Sequence, residues 1–201
     1  MNNKSKNDVR YMVTLAMLTA ILLVMTMTPL GTIPIGPLSV SFAMIPVAIA
    51  AIVIGPVGGM IMGGIFGIIS YLSCFGVGVP SAMGAILVDI DPFLAFVQRF
   101  VPRVLAGLCS GLIYTGCKKF MPSGIASFIA GFFAAFLNTV LFMLALVLLF
   151  GHTDYLQDMI GGKNVLVFIC SFVGIQAVVE MIADTIIVGA ITPIILKVRG
   201  K

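Results

Sequence analysis

Charge, tryptophan and histidine are what this sequence has least of. Only 9% of its 201 residues are Asp, Glu, Lys or Arg, against 61% that are hydrophobic. A water-soluble domain of this size needs far more charge to cover its surface, so a soluble fold is excluded. Tryptophan is absent and the single histidine is His152. One histidine in a polar stretch leaves no Ser–His dyad and no H-E-x-x-H metal motif, and His152 reads as a solvated loop residue. No G-x-x-x-x-G-K-[ST] occurs, and Gly161-Gly162-Lys163-Asn164 is no substitute, so the chain has no P-loop with which to use ATP. The four cysteines, Cys74, Cys109, Cys117 and Cys170, are scattered and form no C-x-x-C. They read as small apolar packing residues rather than disulfides or metal ligands. No metal and no cofactor are expected.

What the sequence has is apolar length. Mean hydropathy is +1.23, and repeated apolar runs are long enough to cross a bilayer. The first run carries Thr14 and Thr19 and leads into Pro29, which is unlike a cleavable signal. Helices are predicted over 10–28, 38–54, 57–74, 92–117, 124–150 and 165–197. Gly55-Pro56 makes a tight turn between the second and third, and Pro122-Ser123-Gly124 separates the fourth and fifth. Residues 151–164 read as a polar loop. With six spans, Lys4, Lys6, Arg10, Lys118, Lys119, Lys197, Arg199 and Lys201 all fall on one side, leaving Lys163 in a loop opposite. That is a positive-inside pattern, which five or seven spans would break. The expected fold is an all-α membrane protein, a single compact bundle of six transmembrane helices over 1–201. Both termini are cytoplasmic and 1–9 is a cytoplasmic tail.

Two outer segments are less regular. Residues 29–37 (PLGTIPIGP) are rigid and proline-rich, while 75–91 are apolar but glycine-interrupted. Both read either as lids over the membrane face or as plain connections. Asp91-Pro92 reads as a helix start, with Asp as N-cap and Pro at the first helical position.

Polar groups inside hydrocarbon are costly, so each needs a reason. Arg99 and Arg103 are four apart and share a face of the fourth helix, with Pro102 between them freeing the carbonyl of Gln98. Asn138 and Thr139 lie mid-way along the fifth. Gln176, Glu180 and Asp184 share a face of the sixth. At a rise of ~1.5 Å per residue, Gln176 and Asn138 lie roughly 16–18 Å from the outer ends of their helices. These groups are therefore placed to converge on one outward-facing cavity. There an arginine grips an anionic group in a forked pair, and Asn138 and Gln176 meet hydroxyls or amides. A structural reading stands beside it: Glu180 pairs with an arginine and Asn138 bonds across helices as packing glue. Asp184, nearer the cytoplasm, reads as a structural residue or a subunit contact. Ala16 and Ala20, four apart, give the first helix a flat strip that another helix can approach. Gly59, Gly63 and Gly67, with Gly107 and Gly111, read as internal packing.

Taken together, these features resemble the substrate-binding S component of energy-coupling factor (ECF) vitamin transporters, over nearly the whole chain. The resemblance rests on size, span number, the alanine pair and the run Leu30-Gly31-Thr32-Ile33-Pro34-Ile35-Gly36-Pro37-Leu38-Ser39. It continues in Ile45-Pro46-Val47, Ile54-Gly55-Pro56, Pro102-Arg103-Val104-Leu105-Ala106-Gly107, Asn138-Thr139 and the Glu180 region. It implies a non-enzymatic, high-affinity vitamin-binding subunit in a bacterial cell membrane. It also implies docking through Ala16 and Ala20 on a transmembrane scaffold subunit driven by two ATPase subunits, and toppling of the S component within the bilayer. The segments 29–37 and 75–91 are then gating loops, with Ile33 and Pro34 against the substrate, alongside Arg99, Arg103, Asn138, Gln176 and Glu180. The pattern looks closest to the branch that includes pantothenate transporters, whose ligand is anionic and carries hydroxyls and an amide. Riboflavin and folate remain open, since fifteen phenylalanines are available to line a flat-ring site. So do a proton-coupled secondary transporter using Glu180 and Asp184, and an assembly subunit with no ligand.

Overall fold

The computed structural model describes residues 3–28, 31–35, 38–161 and 165–198, with side chains described except at 3–8, 32–40, 165–173 and 175. Helix α1 spans Asn3–Met27, and a two-stranded antiparallel hairpin follows, β1 Thr32–Ile35 and β2 Leu38–Ser41. Then come α2 Met44–Val53, α3 Pro56–Leu72, a 3-10 turn Ser73–Phe75, α4 Ala82–Ile90, α5 Pro92–Cys117, α6 Ser123–Phe150, α7 Asp154–Ile160 and α8 Val165–Val198. Five of these, α1, α3, α5, α6 and α8, contain stretches long and apolar enough to cross a membrane.

The second predicted span is where sequence and structure part. In place of a helix over 38–54, residues 38–41 form β2 and the helix is ten residues long. The late start places Pro46 in the first turn. Inside a longer helix it would remove a backbone bond and clash with the preceding turn, whereas in the first turn its missing N–H costs nothing. At ~1.5 Å per residue α2 is about 15 Å long, roughly half a hydrocarbon core. It is also buried along its whole length, from Met44 to Val53, so its uniformly apolar sequence answers to protein neighbours on every side.

Two predicted loops carry structure of their own. Within 75–91, Ser81 caps α4 by accepting from the Gly84 N–H at 3.2 Å. Within 151–164, Thr153 caps α7, which ends at Gly161 in the left-handed conformation. Asp91 and Pro92 start α5 as their types predict, with Asp91 Oδ1 accepting from the N–H groups of Phe93 and Leu94 at 2.9 and 3.0 Å. Leu30, Gly36, Pro37, Lys163 and Asn164 lie outside the described residues, as do the terminal Arg199 and Lys201.

Glycine sets the tightest contact in the bundle. A Cβ on Gly63 would collide with the Arg103 carbonyl, and Gly59 and Gly107 face each other so closely that a Cβ on either would strike the other's carbonyl. So α3 and α5 pack backbone to backbone, and the small residues expected to serve internal packing do so. Because Gly63 sits on Arg103 itself, this contact fixes where the arginine leaves its helix.

The ends of the bundle are distinct. Ile52 to Gly55, Tyr114, Lys118, Lys119 and Leu196 surround a depression at one end. Thr26, Ser41, Ser81 and Gln176 lie around a cavity toward the other. Hence the end of α1 and residues 176–180 of α8 lie around the same cavity, and the α2–α3 turn, the α5–α6 turn and the end of α8 lie together.

Gly63→Val should push α3 off α5 and cost about 1–3 kcal/mol as an overpacked contact, lowering the melting temperature in detergent by about 5 °C. Gly116→Ala, at a site with nothing within 4 Å of the added Cβ, should leave it within a degree or so. Equal melting temperatures for the two variants would contradict the packing described.

Candidate functional site

The cavity lies among α1, α3, α5, α6, α8 and the hairpin, and its volume is about 130 Å³. A buried water needs about 10–15 Å³ of such space, so the cavity has room for roughly ten, or for one small organic molecule. Its wall joins residues from across the sequence: Phe66 and Ser70 of α3, Arg99 and Arg103 of α5, Asn138 and Phe142 of α6, Gln176 and Glu180 of α8. Thus five of the residues singled out in the sequence, Arg99, Arg103, Asn138, Gln176 and Glu180, lie around one space.

The arginines are its strongest feature. Each is only 6% exposed. Arg99 donates from Nη1 to Ser70 Oγ at 3.2 Å and from Nη2 to Ser81 Oγ at 2.8 Å. Arg103 donates from Nη1 to the Arg99 carbonyl at 2.7 Å. All these acceptors are neutral, and the Nε–H of each arginine has no partner among the described residues. The rings supply the rest of the surroundings. Arg103 lies over Phe66 at 4.7 Å and over Phe142 at 5.2 Å, and Arg99 approaches Phe142 at 5.6 Å. A ring face attracts a cation, but it does not replace a carboxylate. Among the described residues no carboxylate is bonded to either guanidinium, a costly arrangement in a low-dielectric interior.

The other walls are polar at chosen points. Asn138 Oδ1 is buried and accepts no hydrogen bond among the described residues. Glu180 Oε1 accepts from the backbone N–H of Ser41, the last residue of β2, at 2.6 Å. A structural pairing of Glu180 with an arginine is not what this geometry has; the carboxylate is bonded to the hairpin. Asp184 lies one turn further along α8, 0% exposed, with its backbone against Gly131 of α6 and neither carboxylate oxygen hydrogen-bonded among the described residues. It is a buried residue, so a subunit contact at that position is excluded. Ile33 and Pro34 are in β1, paired with Val40 and Ser39; their side chains lie outside the described residues. Ala16 and Ala20 are exposed on α1, away from the cavity.

Several wall residues escaped the sequence reading. Ser70, Ser81, Phe66 and Phe142 carry no motif. Ser81 was findable as a helix cap three residues before a glycine-bearing turn. The rings become recognisable only once the arginines beside them are placed.

An arginine with no counter-ion costs stability in the empty protein. Arg103→Met keeps the bulk and removes the charge, so it should raise the melting temperature of the ligand-free protein, by about 1–4 kcal/mol in stability terms. A lower melting temperature would mean that the guanidinium is anchored as a structural part.

The chain is 29% identical over 207 aligned positions to the pantothenate transporter PanT of Leuconostoc mesenteroides subsp. mesenteroides, covering 98% of this chain and 97% of that protein. The family model for the substrate-specific component of ECF transporters matches residues 10–192, and with five membrane-length apolar helices the chain is a multi-pass membrane protein belonging to that family, a transport component and not an enzyme.

Proposed function

We propose that this protein is the vitamin-binding subunit of an ATP-driven ECF importer and that its ligand is pantothenate. The observation that carries the reading is the pair of buried arginines facing a small cavity with only neutral acceptors of their own. Such a site is incomplete without an anion. Ser70, Ser81 and the Arg99 carbonyl hold parts of both guanidinium groups in place, leaving the remaining N–H groups for a carboxylate. Asn138 Oδ1, buried and unbonded, calls for a donor, which a hydroxyl or an amide N–H supplies. Gln176 lines the same cavity from α8. Pantothenate brings a carboxylate, hydroxyls and an amide in a molecule of matching size. The similarity to the Leuconostoc protein supports the same choice.

The remaining features fall into place around that site. The basic end of the bundle faces the cytoplasm, following the positive-inside rule, and the cavity opens to the outside. The sixth crossing is made by the hairpin and α2 together, since Ser41 is at the cavity and Gly55 at the basic end. The hairpin, with Ile33 and Pro34, and the segment 75–91 close the cavity from outside. The exposed strip with Ala16 and Ala20 docks on a transmembrane scaffold subunit, and two ATPase subunits supply the energy that this chain has no motif to harness. The setting is a bacterial cell membrane.

The direct test is mass spectrometry of the purified protein for a vitamin carried through purification, followed by calorimetric titration. Pantothenate should be recovered, and riboflavin or folate in its place would overturn the assignment. Arg99→Ala and Arg103→Ala should each weaken pantothenate binding by about 10- to 100-fold, the worth of a charge-assisted hydrogen bond. Unchanged affinity in both would reject the anion clamp. Ala16→Trp and Ala20→Trp should abolish uptake in cells that supply the partner subunits while leaving binding intact. Normal uptake would refute docking through α1.

A further inference from the structure

Among the charged groups on the cavity wall, Glu180 fits the proposed ligand least. A carboxylate near an anion held by Arg99 and Arg103 repels it, the more strongly in a low-dielectric interior. Yet its oxygen is in use. Glu180 Oε1 accepts the Ser41 N–H at 2.6 Å, a contact between residues 139 apart in sequence. Both residues line the cavity, so the bond lies on the wall, between the end of β2 and the face of α8.

The described backbone bonds of the hairpin are of two kinds. Its two strands pair with each other through a register of four residue pairs. Its stem is closed locally, by the Phe42 N–H on the Gly31 carbonyl at 2.9 Å and the Gly31 N–H on the Thr28 carbonyl at 3.4 Å. Those bonds shape the hairpin but tie it to its own flanks. A two-stranded ribbon is marginal by itself and needs an external partner to stay put. The bond to α8 is such a partner, and at 2.6 Å it is a short one.

We infer that Glu180 is a positioning residue which latches the β1–β2 hairpin to α8 over the cavity through the Ser41 N–H, and that it is not a ligand for the bound molecule. The latch sets how long a molecule stays inside and how it is selected. A bound molecule whose hydroxyl or amide donor reached Glu180 would compete with Ser41 and loosen the cover. A molecule whose donor is met by Asn138 Oδ1, which accepts no hydrogen bond among the described residues, leaves the cover in place. The inference deepens the proposed reading in what the hairpin encloses, while the bond itself stands without any ligand.

The experiment uses the full chain in lipid nanodiscs. Hydrogen exchange is followed by mass spectrometry over 38–43 without ligand, and pantothenate association and dissociation are measured separately. Glu180→Ala should speed exchange of the Ser41 amide region by about tenfold or more and raise the pantothenate dissociation rate by about 10- to 100-fold, with association no slower. Glu180→Gln keeps an acceptor oxygen and should stay within about threefold of the wild type in both, an outcome that loss of charge alone would not give. Wild-type exchange in Glu180→Ala would overturn the latch. So would a loss of affinity confined to slower association, or equal defects in the Ala and Gln variants. Should Glu180→Ala fail to purify, Ser41→Pro removes the same bond from the donor side and is judged by the same exchange and dissociation criteria. If the wild type binds no pantothenate, the ligand assignment fails while the exchange comparison still decides the latch.

Discussion

Two guanidinium groups held inside an apolar bundle, with no carboxylate bonded to either, are the constraint that organises the rest of this molecule. Burying an uncompensated cation in low dielectric is expensive, and proteins rarely do so without a purpose. Everything near Arg99 and Arg103 moderates that cost without cancelling it. Ser70 and Ser81 take two of the N–H groups, and the ring of Phe142 lies against both cations. The helix that carries the arginines is pressed backbone to backbone against α3 by opposed glycines. A larger residue at Gly63 would move the Arg103 carbonyl and with it the side chain, so the glycine pattern on α3 belongs to the site as much as to the core. The result is a pre-organised wall, which spares a ligand the cost of ordering flexible cations when it binds.

The opposite side of the cavity is built differently. Where α3 and α5 pack backbone to backbone, the hairpin lies between α1 and α2 in the chain, and its described bonds include its own strand pairing and the Ser41 N–H on the Glu180 carboxylate of α8. On the proposed reading, pre-organised recognition groups lie beneath an element that serves as cover. The short α2 is what makes the cover available. A full-length helix over 38–54 would have committed those residues to the bundle, whereas the shorter α2 holds Pro46 in its first turn.

Much of this was legible in the sequence because the bilayer reduces the choices. Apolar length named five spans correctly to within a few residues at most ends, and the penalty on buried polar groups picked out Arg99, Arg103, Asn138, Gln176 and Glu180 before any was placed. What the sequence could not convey were contacts between residues distant along the chain. Hydropathy alone cannot tell a buried ten-residue helix preceded by a strand from a short span, because Leu38–Val53 is apolar in either case. Nor can it tell that Glu180 answers a backbone N–H rather than an arginine. Helix α4 was hidden by its glycine and its nine residues, too few for periodicity to stand out. Asp184, nearer the cytoplasm, read equally as a structural residue or a subunit contact, and what decides between them is α6, whose Gly131 packs against the Asp184 backbone.

The first helix links these parts. Little of α1 is buried: Leu18 and Leu22 point into the core, while Met12, Met17, Ile21 and Val24 are exposed, with Ala16 and Ala20 on the exposed surface between them. Yet its far end reaches the cavity, where Thr26 forms part of the wall and Gly31, at the foot of the hairpin, packs against Met25. Over ten residues, at ~1.5 Å each, the strip at Ala16 lies only about 15 Å from Thr26 along one continuous helix. A partner seated on the proposed docking strip would therefore grip the same rigid element that carries one stem of the cover. A small tilt of α1 at that strip moves the foot of the hairpin directly, without any relay through the tightly packed α3–α5 pair. That arrangement offers a physical route by which docking on one face and closure over the cavity are coupled, and it relies on the part of the bundle least held by core packing.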